Sequence, residues 1–458
     1  LSGPTRILVI SFIAIISVGT LLLCLPAATE NNIPLSFIEA SFTATSATCV
    51  TGLIVIDTGA RLSFFGELVV LIMIQIGGLG LMTFSTMFLF ILRRKFTVRQ
   101  GLIIKEALNR SSFGGMKQFL MWLFSITFLI ELFGALILFL NWRDDFASIP
   151  QAVWQSVFHS VSAFCNAGFS LNSDSLIRYA LHPWINVTIM LLIISGGIGF
   201  ILLADLRDQI AVRINSLLKR DVIKIISALP KKNLSLHSKI VLKTTAILIV
   251  SGTILILAVR LRTYPIGEWG TLNWTRLLLT SCFQSVTART AGFNTVDIST
   301  AGIPMLLILI VLMFIGGSSG STAGGVKTTT IGVLFANIVS TVRGRPHVEI
   351  FNRTIPRAVV QKAITIFNIF IAVFLCTILA LTLTEQGLTL KSLIFEAASA
   401  LGTVGLSTGI TPHLTTAGKI IIMLVMFLGR TGPITIVLAI AAPDRDLYEY
   451  PEETVSIG

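Results

Sequence analysis

Long apolar runs alternate with short polar stretches along the whole chain. Runs of at least about 18 mostly apolar residues can cross a bilayer core of about 30 Å. They cover roughly residues 6–25, 67–92, 119–141, 184–206, 242–260, 303–340, 363–383 and 419–442. Between the members of each pair lies a shorter segment: 36–48 around Phe42, 152–164 around Phe158, 276–288 around Phe283 and 392–402 around Phe395. These are too short to cross and have the length of re-entrant half-helices. No secretory cleavage site follows the first run, which therefore reads as a span rather than a signal peptide. The chain opens on Leu1 rather than Met, which reads as a trimmed start.

The stretch after each half-helix repeats. It reads Ser46-Ala-Thr-Cys-Val-Thr-Gly52-Leu53, then Ser162-Ala-Phe-Cys-Asn-Ala-Gly168-Phe169. The third copy, Thr287-Ala-Arg-Thr-Ala-Gly292-Phe293, is one residue shorter, and the fourth is Ser399-Ala-Leu-Gly-Thr-Val-Gly405-Leu406. The glycines recur at intervals of 116, 124 and 113 residues. A second cluster follows each by 24 to 28 residues: Gly77-Gly-Leu-Gly80, Gly196-Gly-Ile-Gly199, Gly316-Gly317 and Gly429-Arg430. Two linked features in four copies make self-similarity the governing signal. The expected fold is an all-α polytopic membrane protein of four pseudo-repeats around a central pore. Each repeat is helix, re-entrant half-helix, filter loop and helix, giving eight transmembrane helices and four pore loops. The repeats fall at 1–95, 96–206, 207–342 and 343–442, followed by a tail, 443–458.

Composition narrows the class. Only 12% of residues are charged and 54% are hydrophobic, with a mean hydropathy of +0.88. Soluble domains carry about 25% charged residues, so an ordinary soluble enzyme is excluded, and so is a disordered chain. The net charge of +12 comes from 34 Lys+Arg against 22 Asp+Glu. Twenty-four of the basic residues lie in the connections 93–117, 207–243 and 343–362 or are Arg6, Lys327 and Arg445. Eight lie in the opposite connections: Arg61, Arg143, Arg178, Arg260, Arg262, Arg276, Lys391 and Lys419. The positive-inside bias places the 24, and both termini, in the cytoplasm. Two remain at depth, Arg289 and Arg430. Among the five cysteines, Cys24 and Cys376 lie in apolar runs, and Cys49, Cys165 and Cys282 follow no disulfide or zinc pattern.

Non-helical backbone at membrane depth must line water or be buried in protein. Four loops around one axis meet that condition. The half-helices then aim their partly negative C-terminal ends inward, which favours a cation. Carbonyl oxygens replace the hydration shell of K⁺ where four extended copies converge, and a glycine opens dihedrals closed to other residues. The candidate filter is the backbone of Val50, Thr51, Gly52, Asn166, Ala167, Gly168, Thr290, Ala291, Gly292, Thr403, Val404 and Gly405. No acidic ring stands in the loops, which argues against divalent selectivity. The plain alternative is four ordinary turn glycines, which does not explain the common register.

The T-x-x-S-A-T-x-V-T-G-L, S-A-F-x-N-A-G-F, T-x-R-T-A-G-F-N and S-A-x-G-T-V-G-L loops resemble the four filter loops of the Trk/Ktr/HKT potassium transporters. The stretches Q-I-G-G-L-G, G-G-I-G-F and F-L-G-R-T-G-P and the E-A-L-N at Glu106–Asn109 extend the likeness over nearly the whole chain, closest to the bacterial Ktr membrane subunits. That resemblance implies K⁺ uptake, a homodimer with one pore per subunit and stimulation by Na⁺. It also implies a cytosolic RCK-type ring (KtrA/KtrC-like) as the partner that binds the regulatory nucleotide. One loop glycine rather than the two of simpler K⁺ channels implies looser selectivity.

Some residues break the fourfold pattern. Gly316, Gly317, Ser318, Ser319, Gly320, Ser321, Thr322, Gly324 and Gly325, with Lys327 after them, interrupt the sixth run. Five glycines in ten residues do not hold a helix at about 1 kcal/mol each relative to Ala, so a loop beneath the filter is expected. The resemblance makes it the gate; a packing kink is the plainer reading. Arg430 takes the place of a cluster glycine, ~16 Å from either surface at 1.5 Å per residue. It reads as a positive charge below the filter opposing cation leak, or as a partner for a buried carbonyl or carboxylate. Arg289 reads as a charge at the outer vestibule or at a half-helix terminus. Asp57, Asp174 and Asp297 follow their loop glycines and either collect cations at the outer mouth or cap exposed turns. Glu131, inside the third run, has no partner visible in sequence.

Rival classes are discriminated by the same residues. Gly316-Gly-Ser318-Ser-Gly320 fits the nucleophile motif of a serine hydrolase, which needs a strand-to-helix elbow and a base. Only His159 stands at depth, in a half-helix near the outer side, so an intramembrane protease is disfavoured and no enzyme is expected. An inverted-repeat secondary transporter of another monovalent cation would alternate the repeats' orientation, whereas the charge count runs all four the same way. The acidic tail with Tyr448 and Tyr450 either docks on a partner or is solvated.

Overall fold

The computed structural model describes residues 4–80, 116–218, 234–263 and 274–432. The basic stretches 93–110 and 219–232, Arg445, Glu106–Asn109 and the tail 443–458 lie outside the described residues. The regular structure of the described residues is almost wholly helical: α1 Pro4–Leu23, α2 Phe37–Thr48, α3 Thr58–Arg61, α4 Phe64–Leu79 and α5 Met116–Trp142. There follow α6 Ile149–Phe164, α7 Pro183–Gly197, α8 Phe200–Leu218, α9 Leu236–Thr263 and α10 Trp274–Thr287. The last are α11 Ile303–Phe314, α12 Thr328–Val342, α13 Arg357–Thr384, α14 Leu390–Gly402 and α15 Thr416–Thr431. A hairpin of two-residue strands, β1 Glu349–Ile350 and β2 Arg353–Thr354, joins α12 to α13. It is the one departure from the all-α expectation among the described residues.

The short helices α2, α6, α10 and α14 share one design. Each begins on an exposed apolar residue (Phe37, Ile149, Trp274 and Leu390), and each buries a phenylalanine completely, at 42, 158, 283 and 395. Local chemistry starts them. Ser36 and Glu39 form a reciprocal capping box on α2, and Ser148 caps α6 with Pro150 in its first turn. The long helix of each group packs on its own short helix: α1 on α2, α5 on α6, α9 on α10 and α13 on α14. The helix after each short one packs on the next group's short helix: α4 on α6, α7 on α10, α11 on α14 and α15 on α2. The last of these contacts closes a circle.

Three helices, Gln118–Trp142, Leu236–Arg262 and Arg357–Thr384, are long and apolar enough to cross a membrane. The pair Pro183–Gly197 and Phe200–Ile210, bent by 99°, would be a fourth. Within the runs expected at 67–92, 184–206 and 419–442, glycines stop or break the helices. α4 ends at Gly80 (φ 81°), α7 breaks at Gly199 (φ 90°) and α15 ends at Gly432 (φ 82°). Hydropathy does not register such a break, because glycine leaves an apolar run apolar.

Candidate functional site

The four loops after α2, α6, α10 and α14 have the same backbone. The loop glycines take φ of 87°, 70°, 79° and 93° at 52, 168, 292 and 405. Two residues before each, Val50, Asn166, Thr290 and Thr403 lie at φ of 55°, 59°, 76° and 50°. Left-handed geometry at a β-branched residue is an outlier, costing about 1–3 kcal/mol each and held by its surroundings. The holding bonds are visible. Thr51, Ala167 and Val404 donate their N–H groups to the carbonyls of Ser46, Ser162 and Ser399, each at 2.8 Å. In the shorter third loop Ala291 donates to Thr287 at 2.9 Å. The hydroxyls of the same four residues complete the tie. Those of Ser46 and Ser399 accept from the Gly52 and Gly405 amides at 3.1 and 3.0 Å. Those of Ser162 and Thr287 donate to the Phe169 and Phe293 carbonyls at 2.8 Å.

The loops meet in a closed ring. A Cβ on Gly52 would overlap the Ala167 carbonyl oxygen, and one on Gly168 would lie 2.7 Å from that of Ala291. One on Gly292 would overlap the Val404 oxygen, and one on Gly405 that of Thr51. Each glycine therefore lets the preceding carbonyl of the next loop approach, in the order one, two, three, four, one. The candidate residues of all four loops are thus brought together. The Thr51, Thr290 and Thr403 hydroxyls are buried there and make no hydrogen bond among the described residues. Four helix C-termini, each worth about half a negative charge, end beside this backbone.

The second glycine cluster has a packing reason. A Cβ at Gly77, Gly196 or Gly429 would overlap the carbonyl of Thr48, Phe164 or Leu401, each at or next to the last residue of its group's own short helix. Gly316 faces Gly324 instead, which is where the third group departs from the others.

On one side of the ring a cavity of about 380 Å³ is floored by Gly52, Gly168, Gly292 and Gly405. Asp57, Asp174 and Asp297 stand on its wall. Each also has local work: Asp57 caps α3 through the Ala60 amide, Asp174 pairs with Arg178 at 3.1 Å, and Asp297 accepts from Ser299.

Residues 315–327 lie on the other side. Gly316 donates to Val326 at 2.9 Å, and Ile315 bridges Val326. The segment takes up groups freed by the break of α7. Ser318 donates to the Gly197 carbonyl at 2.9 Å, Thr322 to that of Gly196 at 3.3 Å, and Phe200 to that of Gly320 at 2.9 Å. Thr322 Oγ1 reaches the Phe164 carbonyl at 3.2 Å, and Gly324 abuts Thr403. Ser319 and Ser321 bond within the segment or to Thr329. Lys327 Nζ donates to the Ala323 carbonyl at 2.6 Å. Arg430 donates to the carbonyl of Thr322 in the third group and, on its other side, to those of Gly77 and Gly78 in the first. Its partners among the described residues are carbonyls, and it neutralises the C-terminal end of α4.

Two charged residues at depth gain partners that the sequence does not show. Of its two expected places, Arg289 takes the half-helix terminus. It is 7% exposed at the end of α10 and directs Nη2 toward Thr245 Oγ1 and the Gly316 carbonyl, both at 3.5 Å. It lies on the side of the 315–327 segment, in the loop that is one residue shorter than the other three. Glu131 does have partners: Gln75 Nε2 donates to both carboxylate oxygens, at 3.1 and 3.2 Å. The 56-residue separation hides this pair from any local pattern. Ser318 faces Thr328 Oγ1 at 3.1 Å, while both ring nitrogens of His159 engage Gln155 and Ser170. No nucleophile and base meet there.

Fold and site together define a helical, multi-pass membrane protein organised around converging loop backbone. The chain matches the TrkH cation transport protein family over residues 2–450 and belongs to that family, which is one of transporters and not of enzymes. It is 40% identical to Ktr system potassium uptake protein B of Bacillus subtilis, over 99% of this chain and 97% of that protein. It is 35% identical to potassium/sodium uptake protein NtpJ of Enterococcus hirae, over 100% and 97%. The crystal structure of the potassium transporter TrkH from Vibrio parahaemolyticus matches with a TM-score of 0.70 at 19% identity, covering 95% of this chain and 84% of that one.

Proposed function

We propose that the protein takes up K⁺ across the bacterial plasma membrane through the ring at Gly52, Gly168, Gly292 and Gly405. The observation that carries this reading is the ring itself. Four loops of one backbone conformation spend their amides on their own half-helices, which leaves carbonyl oxygens and helix C-termini for a desolvated cation. The names of the Bacillus and Enterococcus relatives supply potassium, and the latter also sodium, as the ions handled.

In this reading the chain forms four pseudo-repeats, 1–95, 96–206, 207–342 and 343–442, with eight membrane-spanning helices and both termini in the cytoplasm. The Asp-lined cavity is then the outer mouth. The 316–325 segment, with Lys327 and Arg430, is the gate on the inner side, and its two cations oppose leak. The Ktr resemblance adds a homodimer, Na⁺ stimulation and a cytosolic RCK-type ring through which nucleotide acts. The test is growth of a K⁺-uptake-deficient bacterium at low external K⁺. Expression restores growth if the reading holds, and Gly405→Ser does not; rescue by neither protein overturns it.

A further inference from the structure

Nine residues before the loop glycine in copies one, two and four, and eight before it in the shorter copy three, stand Thr43, His159, Glu396 and Gln284. All four are buried on the short helices, behind the ring. Two residues after each glycine stand Ile54, Ser170, Ser407 and Asn294, which line the cavity over the ring. Copies two and four join these positions by the same hydrogen-bond relay. Ser407 Oγ donates to Glu396 Oε2 at 2.9 Å and accepts from the Gly409 amide at 2.9 Å. Ser170 Oγ lies 3.0 Å from His159 Nε2 and accepts from the Asn172 amide at 3.0 Å. His159 Nδ1 is 2.8 Å from the Gln155 carbonyl, which only accepts, so the proton sits on Nδ1. In a neutral imidazole Nε2 is then the acceptor, and the Ser170 hydroxyl donates. Glu396 also accepts from Thr411, whose Oγ1 is 3.1 Å from that of Ser407. Copies one and three have no such relay: the Thr43 hydroxyl and both polar atoms of Gln284 make no hydrogen bond among the described residues.

We propose that His159 and Glu396 are positioning residues that draw the hydroxyl protons of Ser170 and Ser407 inward, so that the two serine oxygens face the cavity as acceptors for an arriving monovalent cation. A hydroxyl whose proton is committed behind it offers only lone pairs in front. That suits a cation and repels an anion. The relays stand in the second and fourth loops, which are diagonal in the ring because Gly52, Gly168, Gly292 and Gly405 follow one another around it. The oxygens therefore form an opposed pair above the glycines, an outer site at which K⁺ exchanges its first waters. This rests on the reading of the ring as a cation filter.

The test is the initial rate of K⁺ uptake by the full chain against K⁺ concentration, with Na⁺ uptake measured alongside. Ser407→Ala and Glu396→Leu each raise KM for K⁺ roughly fivefold, the worth of one hydrogen bond, and do so more than they lower Vmax. The double variant raises it no further, because Glu396 acts through Ser407. Glu396→Gln, whose amide oxygen still accepts, stays within about twofold of the parent protein. Ser170→Ala, His159→Leu and His159→Gln follow the same order. A double variant near 25-fold, the product expected of independent effects, overturns the proposal, and so does an unchanged KM in both serine variants. Should Glu396→Leu fail to reach the membrane, the serine variants carry the test, each alone raising KM and together multiplying. Gly405→Ala separates the two levels. If it alone alters KM and K⁺/Na⁺ preference, the relay has failed and the filter stands; if it too alters neither, the filter reading has failed.

Discussion

Gly324 and Thr403 touch with no room between them. A Cβ on the glycine would overlap the threonine hydroxyl and lie 3.1 Å from its Cβ. The segment that breaks the third group thus leans on the loop of the fourth. If it is the gate, Gly324→Val drives it off Thr403 and raises the initial rate of K⁺ uptake. Deleting Ser318–Gly324 raises the rate further and removes its dependence on nucleotide. Rates equal to the parent's in both variants reject the gate.

Arg430 joins α15, the end of α4 and the broken segment through the carbonyls of Gly77, Gly78 and Thr322. Arg430→Ala leaves those oxygens unpaired, at about 1–3 kcal/mol for each buried group. The purified protein should unfold at a lower temperature, and resting Na⁺ and K⁺ leak should rise. Arg430→Lys recovers little, since one ammonium does not reproduce the guanidinium fork. Full recovery by lysine would mean that charge alone matters there.

Gly405 and Gly387 both have positive φ, 93° and 104°, but only the first has neighbours. A Cβ at 387 meets nothing within 4 Å, whereas one at 405 overlaps the Thr51 carbonyl. The backbone cost of a side chain at positive φ, about 1–3 kcal/mol, is common to both. Gly405→Ala should therefore lose K⁺/Na⁺ discrimination in paired uptake assays, while Gly387→Ala retains it. Equal discrimination in the two variants would remove close approach as the reason for the loop glycine.

Asp57, Asp174 and Asp297 surround the cavity but are partly solvated, so their pull on cations is screened over about 10 Å at 0.1 M salt. The triple Asn variant should raise KM for K⁺ about two- to threefold in low-salt medium. The difference should vanish when choline chloride is added. A salt-independent rise points instead to their capping roles at Ala60, Arg178 and Ser299.

The sequence carries the loop glycines, the short helices and the completely buried Phe42, Phe158, Phe283 and Phe395, because each repeats at a fixed register. It does not carry the helix breaks at Gly80, Gly199 and Gly432, since a buried helix and a buried turn are equally apolar. The partner of Glu131 and the relays from His159 and Glu396 stay hidden for another reason. They join residues related by the fold, and neither hydropathy nor a motif records which way a hydroxyl points. For Arg289 the sequence leaves open an outer charge or a half-helix terminus, and only the folded loop, with its approach to the Gly316 carbonyl, decides for the terminus.

The contact between Gly405 and Thr51, with that of α15 on α2, joins parts of the chain made 354 residues apart. Long-range closure comes late in folding. The first three groups leave the ribosome with one side of the circle open, and the circle of helices closes only after α15 is synthesised. A chain stopped before Thr416 carries all four loops but lacks the helix that packs on α2, so the circle of helices stays open between the fourth group and the first.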